Sequence, residues 1–171
     1  MQSFTLAPVP EITFGPGVLA VLPEKAKALG GPSLRVMLVA DPALKPIGIT
    51  DRVRDMLEGA GAIVTLYEDF SGEPKTRDID TAAGLARDEG ATLVVALGGG
   101  SALDTGKLVA CCAASGQSAE AYQLCHGPLP ASRPPVICIP TTAGTGSEAT
   151  RTSVFTNAAG KFGAEGLAPG R

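Results

Sequence analysis

Apolar positions along the chain alternate between short continuous runs and stretches with helical spacing. Continuous apolar runs bounded by turn residues are typical of buried strands. Such runs lie at 34–42, 62–70, 92–100 and 134–150, the last continuing into a glycine-rich loop. The spacing of amphipathic helices occurs at 48–61, 78–91 and 101–115. Thr50 is the expected N-terminal cap of the first helix.

Strands that alternate with helices at this spacing predict an α/β fold, a parallel sheet with helices on both faces. In open sheets of this kind, ligands bind beyond the carboxyl ends of the strands. Asp41, the glycine turn of VVALGGGSALDTGKLVA (94–110) and the loop PTTAGTGSE (140–148) each follow a predicted strand. We therefore expect these three segments to meet at one edge of the sheet.

The two ends of the chain lack a clear pattern. Residues 1–17 are expected to form an extended segment and a turn, as an edge strand or a hairpin. The sequence FTNAAGKFGAEGLAPGR at the C-terminus has no periodicity and is rich in glycine. We predict one domain over 1–163, followed by an unstructured tail or a truncated linker at 164–171.

Composition excludes several functional classes. Of the 171 residues 44% are hydrophobic, which is enough for the core of one domain. The net charge of −3, without a Lys/Arg cluster, argues against nucleic-acid binding. Every apolar run is shorter than the ~18 residues of a membrane span. The N-terminus also lacks the basic and apolar regions of a signal peptide, so we expect a cytoplasmic protein without a membrane partner.

The cysteines and the single histidine do not form a metal-binding pattern. Cys111, Cys112, Cys125 and Cys138 contain no C-x-x-C pair, and the first two are adjacent. Reduced, buried thiols are expected. His126 is expected in a surface loop, and a zinc site would need three or four ligands that cannot be assembled.

The glycine turn GGGSALDTGK has two interpretations. Ser101 and Asp104 have the spacing of a capping box, which needs no ligand. Alternatively, glycines before a helix expose backbone N–H groups that, with the helix dipole, bind phosphate. Leu103 rules out the fingerprint G-x-G-x-x-G, and Ser101 and Leu108 rule out the P-loop. The turn would therefore be a phosphate site of another kind.

The loop PTTAGTGSE carries hydroxyl groups between small residues, at Thr141, Thr142, Thr145 and Ser147. This composition lets a flat ring or a ribose approach the backbone while hydroxyls supply hydrogen bonds. A turn with Ser147 as a helix cap is the alternative. Asp41 could accept hydrogen bonds from a ribose diol, which favours NAD over NADP, or could simply initiate an Asp-Pro turn.

Together, GGGSALDTGK and PTTAGTGSE resemble the paired signatures of iron-containing (group III) alcohol dehydrogenases. This family is related in fold to glycerol dehydrogenase and dehydroquinate synthase. The resemblance extends from FGPGV at 14 to KFG at 161–163. It implies a Rossmann-like domain, similar to the N-terminal domain of dehydroquinate synthase, that binds NAD. The implied reaction is hydride transfer between a small alcohol or aldehyde and NAD.

The resemblance also implies roles for individual residues. The cofactor pyrophosphate would be held by Gly98, Gly99, Gly100 and Ser101, with Asp104 near the nicotinamide. The adenosine and ribose portions and the nicotinamide pocket would be contacted by Thr141, Thr142, Thr145 and Ser147. Asp41 would meet the adenosine ribose and repel the 2′-phosphate of NADP. Lys161 would reach the nicotinamide ribose.

The chain departs from the family in one respect. Family members are much longer and hold a divalent metal such as iron on one aspartate and three histidines in a second, helical domain. With a single histidine, this chain is expected to lack the metal domain, to bind no metal and to be inactive alone. The alternatives are a stand-alone nucleotide-binding module or a relative of polyol dehydrogenases and dehydroquinate synthase, against which PTTAGTGSE argues. A homodimer is a family expectation.

Overall fold

The protein is a Rossmann-like α/β fold in a computed structural model that describes residues 10–70, 72–125, 128–157 and 160–165. A four-stranded parallel sheet has the order β2-β1-β3-β4. Its strands are β1 (Arg35–Ala40), β2 (Ile63–Tyr67), β3 (Leu93–Gly98) and β4 (Val136–Pro140). The helices are α1 (Leu22–Gly30), α2 (Ile49–Gly59), α3 (Thr76–Asp88) and α4 (Gly100–Ser115). Three 3₁₀ segments lie at Val18–Val21, Pro42–Leu44 and Ala119–Cys125.

Two hydrophobic cores, one on each face of the sheet, confirm the predicted layered architecture. Because successive side chains of a strand point to opposite faces, Met37 and Val39 pack with α3 and α4. Val36 and Leu38 pack with α1 and α2 on the other face. The central strands β1 and β3 are almost wholly buried, which explains their continuous apolar sequences.

The helix α4 is buried along most of its length between the sheet, α3 and a second sheet. A Cβ atom added at Gly106 would lie 2.5 Å from the Cβ of Ala96 on β3. Glycine is therefore required for α4 to lie so close to the central strand. This close packing fixes the position of the N-terminus of α4 relative to the end of β3.

A hairpin follows the second glycine-rich loop, where the sequence pattern predicted no regular structure. Strand β5 (Thr152–Asn157) pairs antiparallel with β6 (Gly160–Glu165). Strand β6 continues to Glu165, two residues beyond the predicted domain boundary at 163. The remaining residues of the predicted tail or truncated linker, 166–171, lie outside the described part, so that prediction stays untested there. Burial of Phe155 in the core of the main domain stabilises β5. Only Ser153 and Phe155 of this strand are buried, and glycines flank it, so the short alternation is hard to recognise in the sequence.

Local predictions near the N-terminus also need correction. The helix α1 was not predicted, although Leu22, Ala26 and Gly30 form a buried stripe at helical spacing. Thr50 is not a cap: α2 is capped by Gly48, whose φ of 76° is accessible to glycine, and Thr50 is buried within the first turn. Residues 10–14 form no strand, and residues 1–9 lie outside the description. None of the described helices is long and apolar enough to cross a membrane.

Candidate functional site

The three segments predicted to meet at the carboxyl edge of the sheet do meet there. The backbone N–H of Asp41, just after β1, donates to the carbonyl of Leu97 at 2.9 Å. The N–H of Thr141, just after β4, donates to the carbonyl of Gly98 at 2.9 Å. Both neighbouring strands are thus tied to the end of β3, where the glycine turn begins.

Gly98 cannot be replaced in this turn without displacing its neighbours. Its φ of 148° is a conformation that L side chains rarely adopt. An added Cβ would lie 2.7 Å from the Cβ of Ala102 and 2.8 Å from the Cβ of Asp41. Gly98 therefore lies tightly between Asp41 and the first turn of α4.

Gly99 and Gly100 face the threonines of the second motif. An added Cβ would lie 3.2 Å from Thr142 Oγ1 at Gly99, and 3.1 Å from Thr145 Cγ2 at Gly100. Gly99 is the N-cap of α4, and no side chain caps the helix. The first N–H groups of a helix have no partner within it, so they remain available to an anion.

The capping-box interpretation of Ser101 and Asp104 is wrong, because Ser101 lies inside the helix and Gly99 occupies the cap. Asp104 instead reaches across to the second motif and the hairpin. Its Oδ1 accepts a hydrogen bond from Ser147 Oγ, and its Oδ2 accepts one from the N–H of Val154 at 2.9 Å. Asp104 thus ties α4 to two other segments.

Lys107, one turn further along α4, was missed by the sequence analysis. Its side chain has 0% exposure, and its Nζ lies 3.0 Å from Asp104 Oδ1. The ammonium donates to the carbonyls of Ser147 at 3.0 Å and Thr152 at 2.6 Å, and to Thr150 Oγ1 at 3.5 Å. The available signal was a lysine three residues after an aspartate in an otherwise apolar helix.

A cavity of about 420 Å³ opens beside the glycine turn. It is lined by Gly100, Ser101 and Asp104 of α4, by Thr145, Ser147 and Thr150 of the second loop, by Thr152 and Val154 of β5, and by Glu73 and Pro74 before α3. Asp41 contacts the Gly98 end of the turn, whereas the cavity begins at Gly100. The predicted residues therefore occupy two adjoining parts of one edge.

The hydroxyl groups of the second motif differ in their surroundings. Thr141, Thr142 and Thr145 are exposed, whereas Ser147 is buried and bonded to Asp104. The alternative in which Ser147 caps a helix is wrong, since a turn and then β5 follow it. Lys161 lies on β6 opposite Thr156, and the structure describes only its backbone.

Asp41 initiates the Asp-Pro turn that was one of its two interpretations. Its side chain is half-buried, and Oδ1 accepts a hydrogen bond from the N–H of Ala43 at 2.9 Å. This bond caps the 3₁₀ segment Pro42–Leu44. The same bond holds the carboxylate at the edge of the sheet beside Gly98, so the turn and a ribose-binding role are compatible.

Three of the four cysteines have side chains that the structure describes, and the prediction for Cys125 lies outside these. Cys111 and Cys112 are free and buried, and Cys138 is free and half-buried. Burial raises the pKa of Cys111 to about 11 and that of Cys138 to about 12, and it raises the pKa of Cys112 further. These thiols are protonated at neutral pH and are therefore neither nucleophiles nor ready metal ligands.

The described residues do not fit an iron site. Within 10–70, 72–125, 128–157 and 160–165, no three His, Cys, Asp or Glu side chains form a group that could hold a metal ion. His126, expected in a surface loop, lies outside these ranges.

Solved structures include close matches to this fold. Sulfoacetaldehyde reductase from Bifidobacterium kashiwanohense, in complex with NAD+, superposes with a TM-score of 0.88 at 32% identity, covering 99% of this chain and 45% of that one. NADH-dependent butanol dehydrogenase A from Thermotoga maritima gives a TM-score of 0.90 at 24% identity, covering 99% of this chain and 43% of that one. The second match supports the fold alone.

Similar sequences include known dehydrogenases. Choline dehydrogenase of Bacillus subtilis is 35% identical over 165 residues, which cover 95% of this chain and 40% of that protein. The 1,3-propanediol dehydrogenase of Citrobacter freundii is 34% identical over 155 residues, covering 87% and 38%. The chain thus spans about 40% of the length of these relatives. With a family model matched over residues 9–167, the chain belongs to the iron-containing alcohol dehydrogenase family.

Proposed function

We propose that this chain is the cofactor-binding half of an iron-type alcohol dehydrogenase and that it binds NAD at the carboxyl edge of its sheet. The observation that carries the proposal is the glycine turn at the uncapped N-terminus of α4, packed against the threonines of the second motif. A sequence-related reductase has been solved with NAD+. The bound nicotinamide would accept or donate the hydride.

The pyrophosphate fits the glycine turn on both steric and electrostatic grounds. Gly99 and Gly100 have no side chain to block approach, and an added Cβ at either would crowd a threonine. The positive end of the α4 dipole and its free N–H groups favour an anion at this place. Ser101, in the first turn, adds a hydroxyl beside the same position.

The nicotinamide and its ribose would enter the cavity that begins at Gly100. Its walls offer the hydroxyls of Ser101, Thr145 and Thr150, which suit the ribose and the carboxamide. The adenosine ribose would lie at the Gly98 end, beside the carboxylate of Asp41. A 2′-phosphate there would meet a like charge, so we expect NAD to be preferred over NADP.

Substrate turnover requires more than these residues supply. The parent reaction is proposed to be hydride exchange between a small alcohol or aldehyde and NAD, as the names of the relatives suggest. In the parent reaction a metal ion would act as the Lewis acid that polarises the carbonyl, and the described residues form no metal-binding group. We therefore propose that this chain binds the cofactor and does not turn over alcohols alone.

Calorimetric titration of the chain with NADH and, separately, with NADPH tests the proposal. Tryptophan is absent, so quenching of intrinsic fluorescence would be a poor reporter. We expect saturable NADH binding at least tenfold tighter than NADPH binding, which corresponds to about 1.4 kcal/mol. Failure of both cofactors to bind would overturn the proposal. Equal affinities would overturn only the role of Asp41.

A further inference from the structure

The two parts of the binding edge are held in place by different interactions. Beside Gly98, Asp41 and Thr141 are fixed by backbone hydrogen bonds to the end of β3, as part of the sheet itself. The loop that lines the cavity has no such strand pairing. It is fixed to α4 by the side chains of Asp104, which is partly buried, and Lys107, which is fully buried.

We propose that Lys107 is a positioning residue that shapes the nicotinamide half of the cofactor site without shaping the adenosine half. The inference rests on the proposed NAD binding and adds which buried group organises the cavity. Among the described residues, the hydrogen bonds of its ammonium reach Ser147, Thr150 and Thr152, all of which line the cavity. Lys107 itself is not part of the lining.

The energetic argument is that a buried ammonium must be fully compensated. A charge removed from water is costly unless it is paired and hydrogen-bonded. Here the carboxylate of Asp104 supplies the opposite charge and two backbone carbonyls accept hydrogen bonds. The hydrogen bonds that compensate the buried charge of Lys107 therefore also fix the backbone at Ser147 and Thr152. An apolar side chain would release both carbonyls.

A comparison of ADP binding with NADH binding distinguishes this positioning role from a general effect on stability. ADP carries the adenosine and the pyrophosphate, and NADH carries the nicotinamide ribose as well. A variant that merely loosens the fold should weaken both ligands alike. Loss of the lysine anchor should weaken NADH and spare ADP.

The test compares Lys107→Met with Lys27→Met, the same substitution at an exposed position of α1. We expect Lys107→Met to bind NADH at least tenfold more weakly and ADP within threefold of the unaltered chain, and Lys27→Met to change neither affinity. Equal losses for both ligands, or no loss, would overturn the inference while leaving NAD binding intact. If the unaltered chain binds neither ligand, both proposals fail.

A measurement on the unaltered chain covers the case in which Lys107→Met does not fold, since that variant leaves the partly buried Asp104 without its cation. Buried, hydrogen-bonded ammonium groups exchange protons slowly enough to be seen by ¹H–¹⁵N NMR. We expect one such signal, assigned by its loss in Lys107→Arg, to shift with NADH and to stay unchanged with ADP. The absence of the signal, or equal shifts with both ligands, would contradict the inference.

Discussion

At the scale of single residues, Gly99 gives the sharpest test of the phosphate turn. A valine there adopts the observed φ of −77° without strain, but its Cβ would lie 3.2 Å from Thr142 Oγ1 and its methyl groups would cover the N-terminus of α4. We expect Gly99→Val to reduce NADH affinity at least tenfold, or by about 1.4 kcal/mol. Calorimetry measures the loss, and circular dichroism checks that the variant folds.

The control for this substitution is Gly59→Val, at the exposed end of α2 where an added Cβ meets nothing within 4 Å. Its NADH affinity should equal that of the unaltered chain. If Gly99→Val also retains full affinity, the pyrophosphate does not approach the backbone of this turn, and the assignment of the turn has to be abandoned.

Residues close in sequence were easier to interpret than those whose partners are distant. The glycines and threonines of the two motifs could be assigned to one edge because the order of strands and turns fixes where they emerge. The partners of Asp104 could not be predicted, since Ser147 and Val154 lie on a loop and a strand that meet α4 only after folding. The local capping-box pattern therefore suggested the wrong partner.

At the scale of elements, Gly106 decides how closely α4 lies on β3. An alanine Cβ at Gly106 would be 2.5 Å from the Cβ of Ala96. The helix α4 is buried along most of its length, so it has little room to move away from β3. Overpacking of this kind costs typically 1–3 kcal/mol. We expect Gly106→Ala to lower the free energy of unfolding by about 2 kcal/mol, measured by urea denaturation.

The matched variant is Gly84→Ala in the middle of α3, where an added Cβ meets nothing within 4 Å. Alanine is a better helix former than glycine, so this variant should be more stable by about 0.5–1 kcal/mol. Opposite signs for the same substitution would establish close packing at Gly106. A stabilised Gly106→Ala would mean that α4 can move away from the sheet.

The elements of the main sheet and the helices α2, α3 and α4 were predicted correctly, whereas α1 and the hairpin were not. The central strands β1 and β3 are buried on both faces, so their continuous apolar runs are visible in the sequence. The helix α1 has only nine residues and a weak pattern. The hairpin of β5 and β6 is stabilised by contacts with α4 and with Ala119–Cys125, which no local pattern reveals.

At the scale of the whole molecule, the described residues offer a candidate site for the cofactor but none for the metal of the family. The glycine turn, the second loop and Asp41, which are proposed to bind the dinucleotide, lie at one edge of the sheet, whereas the described residues assemble no metal-binding group. The relatives that the chain matches are about two and a half times as long, as their 40% coverage indicates. The resemblance of the two motifs identified the family. Because the candidate cofactor site needs no metal ligand, cofactor binding can be measured without turnover.

The pH dependence of stability provides a test of the core that does not involve the cofactor. Burial raises the pKa of Cys111 from 9.0 to about 11. Between pH 9 and 11 the unfolded chain therefore loses this proton while the folded chain keeps it. Because the folded state binds more protons, the free energy of unfolding should fall as pH rises through this window. One thiol contributes at most about 1.4 kcal/mol per pH unit.

Cys111→Ala isolates this contribution from those of all other titratable groups. Thermal unfolding of both proteins at a series of pH values should give curves that run parallel below pH 9. Above it, the unaltered chain should lose stability more steeply than the variant, because the variant lacks the Cys111 thiol and keeps all other titratable groups. Parallel curves up to pH 11 would mean that Cys111 reaches solvent, and that the core between α4 and α3 is less tightly closed than its contacts indicate.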